Sequence, residues 1–402
     1  MNTIYVALPA MDELEYLPSF IDCYRNQTFL NKKLVICVNQ PESWRNKPDK
    51  AGICQRNVQS LDFLRSFDDI QPVIIDKCSP GNGWTGKKYG VGWARKTVMD
   101  YISEMAGEND IIISLDADTT FNPEYFKSVS DTLSSSPGSA ALSVPYYHLL
   151  TGNEEKDRAI LRYEIYMRYY ALNLWRTNSF YSFTAIGSAI ALTVKNYRAV
   201  GGITPHKSGE DFYFIQKLRK YGKVLTHNPE KVYPAARFSD RVGFGTGPAM
   251  IKGRSGNWES YPIYPHPLFD LVDETTNLFN VLYAEDVKTP MDDFLKEKFG
   301  TVKIWQALRD NVTSEVGFVK ACHHKIDALR ILQFLKWKHL GSDSADENNL
   351  RTFMLQFFSN EWKPIDPGKN FSFDACKVDQ LDEIRNVLAG IEENYQKNET
   401  TR

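Results

Sequence analysis

No run of 18 apolar residues occurs in this sequence. The longest candidate, 183–194, is short and carries Thr184, Gly187 and Ser188, so a transmembrane span is not expected. Closely spaced cysteine pairs are missing as well. The six cysteines (Cys23, Cys37, Cys54, Cys78, Cys322, Cys376) are scattered and read as free thiols of a cytosolic protein. Neither sign of charge is in excess, since 48 Lys+Arg stand against 50 Asp+Glu, and this argues against a dedicated nucleic-acid binder. Repeats and low-complexity tracts are absent. The first residues lack a basic segment followed by a long apolar one, so they read as a first strand and not as a signal peptide.

What is present is a globular composition, with 42% hydrophobic and 24% charged residues. A length of 402 residues exceeds one ordinary core, which predicts a large domain and a smaller one. Strand and helix signals alternate in the first half. Short apolar strands are expected at 4–8, 34–38, 73–75 and 110–115, and helices at about 13–26, 51–67 and 93–105. A glycine-rich loop at 79–92 follows the third strand. This rhythm predicts an α/β fold with a mostly parallel sheet covered on both faces. In such sheets ligands bind beyond the carboxyl ends of the strands. Further on, a Tyr-rich helix is expected at 153–178, one or two strands at 183–194 broken at Gly187, a helix opened by Ser208-Gly209-Glu210-Asp211, and extended chain at 223–238. From about 268 the pattern is helical, with helices at 302–311, 316–340, 350–358 and 380–396. The proline-rich 261–267 segment sets the expected boundary, giving domains 1–265 and 266–402.

The strongest chemical signal is Ile111-Ile112-Ile113-Ser114-Leu115-Asp116-Ala117-Asp118. Two carboxylates at i and i+2 just beyond a buried strand suit a hard divalent cation whose shell phosphate oxygens complete. The competing reading is a pair of acidic turn residues. The second signal, Gly209-Glu210-Asp211, puts carboxylates at a helix start. They are either plain dipole-compensating residues or a general base facing the crevice.

In order, these two signals and the opening Val6-Ala7-Leu8-Pro9-Ala10-Met11-Asp12-Glu13-Leu14-Glu15-Tyr16-Leu17 resemble the family 2 glycosyltransferases of the GT-A fold. Gly90-Val91-Gly92-Trp93-Ala94-Arg95-Lys96, Gly187 and Gly201-Gly202-Ile203 add to the resemblance, which covers about 1–265. It implies a nucleotide-diphospho-sugar transferase fold, a Rossmann-like mostly parallel sheet, with a helical C-terminal domain. It implies an inverting, metal-dependent hexosyltransferase acting from a nucleotide-sugar donor on a glycan or lipid-linked acceptor, in glycan or surface polysaccharide synthesis. Mn²⁺ or Mg²⁺ would be the cofactor. Under that resemblance Asp118 binds the metal, and Asp116 contacts the ribose or shares the metal. Asp211 is the general base, and Glu210 orients base or acceptor. Pro9, Met11 and Glu13 line the nucleoside pocket, and Arg95 sits near ribose or phosphate.

The chain departs from the family at Asn39, which stands where an Asp usually reads the base. It also lacks the Gln/Arg-X-X-Arg-Trp motif of processive synthases. In its place stands Arg237-Phe238-Ser239-Asp240-Arg241 before a glycine-rich stretch. Two arginines there could clamp a diphosphate or be ordinary surface residues, and Arg241 is the favoured donor contact. Gly81 to Lys88 lacks the spacing of a phosphate loop, and Cys322-His323-His324 lacks a second zinc-ligand cluster. The Tyr-rich helix reads as core packing or as an acceptor platform. The basic 329–340 segment reads as a buried helix or a membrane-surface one. The helical domain would shape the acceptor site or make a homodimer. The chain would be cytoplasmic, free or peripheral at the inner membrane surface. Two rivals stay open: a nucleotidyltransferase acting on a nucleoside triphosphate, and a non-catalytic scaffold.

Overall fold

The short apolar segments lie side by side in one sheet. A computed structural model describes residues 2–183, 189–240, 243, 245–342 and 344–400. Its strands are β1 (Ile4–Ala10), β2 (Lys32–Asn39), β3 (Val73–Lys77), β4 (Ile111–Ser114), β5 (Thr119–Phe121), β6 (Ala141–Ser143), β7 (Ile190–Thr193), β8 (Val224–Leu225) and β9 (Val232–Pro234). Seven of them form a sheet in the order β3-β2-β1-β4-β7-β6-β8, while β5 and β9 pair in a separate two-stranded ribbon. Pairing is parallel for β1–β2, β1–β4, β2–β3 and β6–β8, and antiparallel where β7 meets β4 and β6. All seven residues of β1 are buried. That fits a strand covered on both faces, and explains why its sequence shows no polar alternation. The α/β class expected from the sequence is the class the chain adopts.

The helices up to residue 254 are α1 (Leu17–Arg25), α2 (Ala51–Arg65), α3 (Val91–Met105), α4 (Tyr125–Ser135), α5 (Glu154–Arg176), α6 (Val194–Ala199), α7 (Glu210–Tyr221) and α8 (Thr246–Arg254). The first helix starts at Leu17, not near 13. Pro18 favours the first helical turn, and the preceding loop turns at Asp12, whose φ is +61°. Asp adopts that left-handed geometry more readily than most residues.

Strand order reverses between β1 and β4, because β2 and β3 lie to one side of β1 and the later strands to the other. The β1–β4 ladder stops at Ala7↔Ser114, while β1 runs on to Ala10 alongside β2. Pro9, which has no N–H to give to a ladder, lies past the last β4 pair. A crevice at such a reversal is where open α/β sheets bind ligands.

Two compact units divide the chain. The first comprises Met1–Ile160, Thr184–Asn257 and Gln396–Arg402, and the second Leu161–Phe183 and Trp258–Tyr395. The second unit is helical. Its core holds the aromatic face of α5, with Tyr163 edge-on to Tyr261, Tyr169 against Phe353, and Trp175 stacked on Tyr395. These rings are packing residues of that core. Buried charges of α5 are paired there too: Arg168 bonds Glu164 at 2.6 Å and also Glu392, while Arg385 reaches Glu164 at 3.3 Å. The expected single helix over 316–340 is two, Glu315–Lys325 and Ala328–His339. The Asp327 side chain accepts the Arg330 N–H and caps the second. Ile331, Phe334 and Leu335 of that second helix are buried while Lys336 and Lys338 are exposed, as in an ordinary core-facing helix. Among the described residues no helix is long and apolar enough to cross a membrane.

Candidate active site

Asp116 and Asp118 follow the buried end of β4, at the strand reversal. Each carboxylate is met by an arginine from a distant part of the sequence. Arg95, on the second turn of α3, is only 3% exposed. Its Nη1 donates to Ser114 Oγ (2.7 Å), its Nη2 to Asp116 Oδ1 (2.8 Å) and its Nε to Glu210 Oε1 (3.1 Å). One guanidinium therefore ties the end of β4, the acidic loop after it and the first residue of α7 together. Burial alone would lower the Arg95 pKa, but Asp116 and then Glu210 hold it above its ordinary value, so the charge is permanent.

Close backbone approach makes this junction possible. A Cβ on Gly92 would lie 2.2 Å from the His206 carbonyl oxygen, so the start of α3 touches the loop that leads into α7 only because residue 92 has no side chain. Gly92→Ala should destabilise the protein by about 1–3 kcal/mol through overpacking. A shifted urea midpoint measures this, and an unchanged midpoint would show that the contact is not tight.

Asp211 is the second residue of α7, which begins after Gly209 in a left-handed conformation. Its carboxylate accepts the Phe212 N–H at 2.8 Å. Burial first, and then the like charge of Glu210, push its pKa up to about 7, against the opposing pull of Arg95. A helix N-terminus favours the anion by only about 0.3–1 kcal/mol, less than one pKa unit, so burial and like charge win. A carboxylate titrating near neutrality is suited to taking a proton in water at physiological pH.

The second arginine is Arg237, three residues past β9. Pairing of β9 with β5 and the Ala235 N–H bond to the Asp118 carbonyl (3.0 Å) bring it back beside the acidic loop. Its guanidinium donates to both Glu13 oxygens (2.9 and 2.8 Å), stands 2.6 Å from Asp118 Oδ2, and lies over the Tyr16 ring at 4.5 Å. Glu13, expected to line a nucleoside pocket, is 5% exposed and engages this arginine.

No family model matches the sequence, and no curated protein matches it. Comparison with solved structures does find similar chains. The chain is similar to residues 1–349 of S. aureus TarS in complex with UDP-GlcNAc, with 12% identity over 98% of this chain and 92% of that fragment and a TM-score of 0.40. It is similar to the mannosyltransferase PcManGT from Pyrobaculum calidifontis in complex with GDP-Man and Mn²⁺, at 12% identity over 85% and 88% and a TM-score of 0.39. It is also similar to glucosyl-3-phosphoglycerate synthase from Mycobacterium tuberculosis with Mg²⁺ and UDP, at 13% over 63% and 80% with a TM-score of 0.37.

The other sequence-selected residues are placed less centrally. Asn39 is 1% exposed. Its amide donates to the Ala10 carbonyl at 2.9 Å and accepts the Trp84 indole N–H at 3.2 Å, so it joins β1 to the glycine-rich loop beneath the surface. Pro9 is buried in β1, and Met11 is half-buried just after it. Arg241 and Gly187 lie outside the described residues. In the glycine-rich loop the Gly81 and Gly83 N–H groups are taken up by the Glu42 carboxylate, at 3.1 and 2.9 Å. Those contacts, the Gly81 one first, lower the Glu42 pKa. All six cysteines are free thiols. Among the described residues no group of three or more His, Cys, Asp or Glu side chains is gathered as a metal site.

Sequence reasoning missed Tyr16, Ser114 and the Asp12–Asn57–Gln40 relay. In that relay Asn57 accepts the Asp12 N–H and donates to Gln40 at 2.8 Å each. Ser114 was within reach as the last residue of the Ile-rich strand. Tyr16 lies within the opening motif without a role of its own, and Asn57 carries no local signal.

Proposed function

We propose that the first unit is a GT-A-type, family 2-like glycosyltransferase. It would move a sugar with inversion from a nucleotide-sugar donor to a hydroxyl of a glycan or lipid-linked acceptor, in polysaccharide assembly. The observation that carries this reading is the Arg95 junction, which unites Asp116, beyond β4 at the strand reversal, with the Glu210-Asp211 start of α7. That junction supports a reading in which the loop after β4 handles the donor diphosphate and the start of α7 supplies the base, the two functions that sugar transfer from a nucleoside diphosphate needs.

Asp211 is the base that takes the acceptor hydroxyl proton as that oxygen attacks the anomeric carbon. Glu210 holds Arg95, and through it Asp116, instead of touching the acceptor. Asp118 and Asp116 are the residues that would hold Mn²⁺ or Mg²⁺. They fit such an ion because both offer hard oxygen ligands, and because a guanidinium already stands 2.6 Å from Asp118 Oδ2, which marks a place that takes positive charge. A shell begun by two carboxylates is one that diphosphate oxygens would complete. When bound, the ion would offset the charge that develops on the departing nucleoside diphosphate.

The test is a thermal-shift panel of UDP-, GDP-, dTDP- and CMP-sugars with and without Mn²⁺. One sugar nucleotide should raise the melting temperature by several degrees, as expected for a ligand near one hundred times its Kd, worth about 2.7 kcal/mol, and Mn²⁺ should enlarge the shift. Stabilisation by a nucleoside triphosphate alone would favour a nucleotidyltransferase instead. No stabilisation by any of them would leave the scaffold reading.

A further inference from the structure

Arg237 carries one positive charge against two carboxylates. It forms a two-pronged bond to Glu13 and a close contact with Asp118 Oδ2, with its flat face over Tyr16. The side chains are largely out of water, at 16% exposure for Arg237, 6% for Glu13 and 14% for Asp118. Resting on the reading of Asp118 as part of a cation-dependent donor site, we infer that Arg237 is a displaceable counter-ion. It holds Asp118 in the donor-free chain and excludes a divalent cation, so that cation and donor diphosphate bind together.

The charges give the reason. Glu13, Asp118 and Arg237 together carry one net negative charge. A divalent cation on Asp118 would sit within a few ångströms of the guanidinium, where like-charge repulsion outside bulk water is large. Arg237 cannot escape by losing its proton, because a guanidinium stays charged at any pH at which proteins fold. It can only move. A diphosphate gives it a matching partner, since guanidinium pairs with phosphate oxygens in the same fork geometry as with carboxylate. The donor's negative charge also offsets the incoming cation. By linkage, each ligand then raises the affinity for the other by the same factor. Arg95 differs in this respect, because its three bonds in a fully buried place fix it whether or not donor is present.

The experiment is a Mn²⁺ titration of the full chain, without nucleotide, followed by electron paramagnetic resonance. Wild type should bind Mn²⁺ weakly. Arg237→Gln and Arg237→Met, which remove the charge, should each bind about tenfold tighter or more, and adding Asp118→Asn should abolish the gain. Arg237→Lys keeps a cation and should show little gain. Circular dichroism and melting identify the variants that keep the native fold, and a single folded neutral variant is enough. Unchanged or weaker Mn²⁺ binding in a folded neutral variant overturns the inference, as does a Lys variant that gains as much as Gln. Failure of every nucleotide sugar to stabilise the wild type would remove the transferase reading, and the Mn²⁺ comparison would still be readable.

Discussion

Asp211→Asn is expected to lower sugar transfer by about 10²–10⁴-fold, the usual worth of a positioned general base, while donor binding stays within a few-fold of wild type. The side chain keeps its shape and can still accept the Phe212 N–H, so a loss of rate reports the missing proton acceptor and not a collapsed helix start. Unchanged turnover would remove Asp211 from the mechanism. The pH dependence is fixed by the direction of the shift. An acid with its pKa raised to about 7 is active as a base only above that pH, so kcat/KM in wild type should climb with pH and level off past neutrality.

Stability should move the opposite way. In the unfolded chain this carboxyl titrates near its ordinary value of 3.8. The folded state therefore carries no penalty from it below about pH 3.8, a growing one between the two values, and the full penalty above about 7. Asp211→Asn should consequently be more stable than wild type at pH 8, on the order of 2 kcal/mol for a group that keeps some contact with water. The advantage should vanish by pH 4. A variant that is both slower and more stable is the signature of a residue kept for chemistry at a cost in folding.

The parts of this site that could be read from the sequence are those set by local pattern. The Ile-rich run before Asp116 makes a buried strand wherever it is placed, and the crossover rhythm puts its end at the ligand crevice. Glu210 and Asp211 announce a helix start by the same local logic. Arg237 is different. Its position depends on pairing between β5 and β9, three residues each, too short to carry a period. Local pattern therefore cannot place it beside Asp118. The groups that hold Glu13 and Asn39, Arg237 for the one and Ala10 and Trp84 for the other, are non-local and leave no mark in the surrounding sequence. The break between 316 and 340 hinged on Asp327, a capping residue inside an otherwise continuous apolar period.

Replacing Arg95 should have the largest effect on folding. Arg95→Met keeps most of the stem and removes the charge, leaving Glu210 buried at 3% exposure and Asp116 beside it without their shared cation. Deleting one partner of a buried ion pair costs about 3–5 kcal/mol, chiefly because the remaining charge is left in a poorly solvating place. Calorimetry or urea unfolding at neutral pH should show a loss of that size. The double variant Arg95→Met/Glu210→Gln should recover part of it, because the stranded charge is then gone. The two changes should therefore be far from additive, by about 1–3 kcal/mol. Additive effects would mean that the guanidinium and Glu210 are independent, and that the junction between β4 and α7 is held by packing at Gly92 alone. The double variant should nevertheless remain poor at transfer. Restored folding does not restore the bond that holds Asp116 in register with Asp211, and catalysis is far more sensitive to that register than stability is.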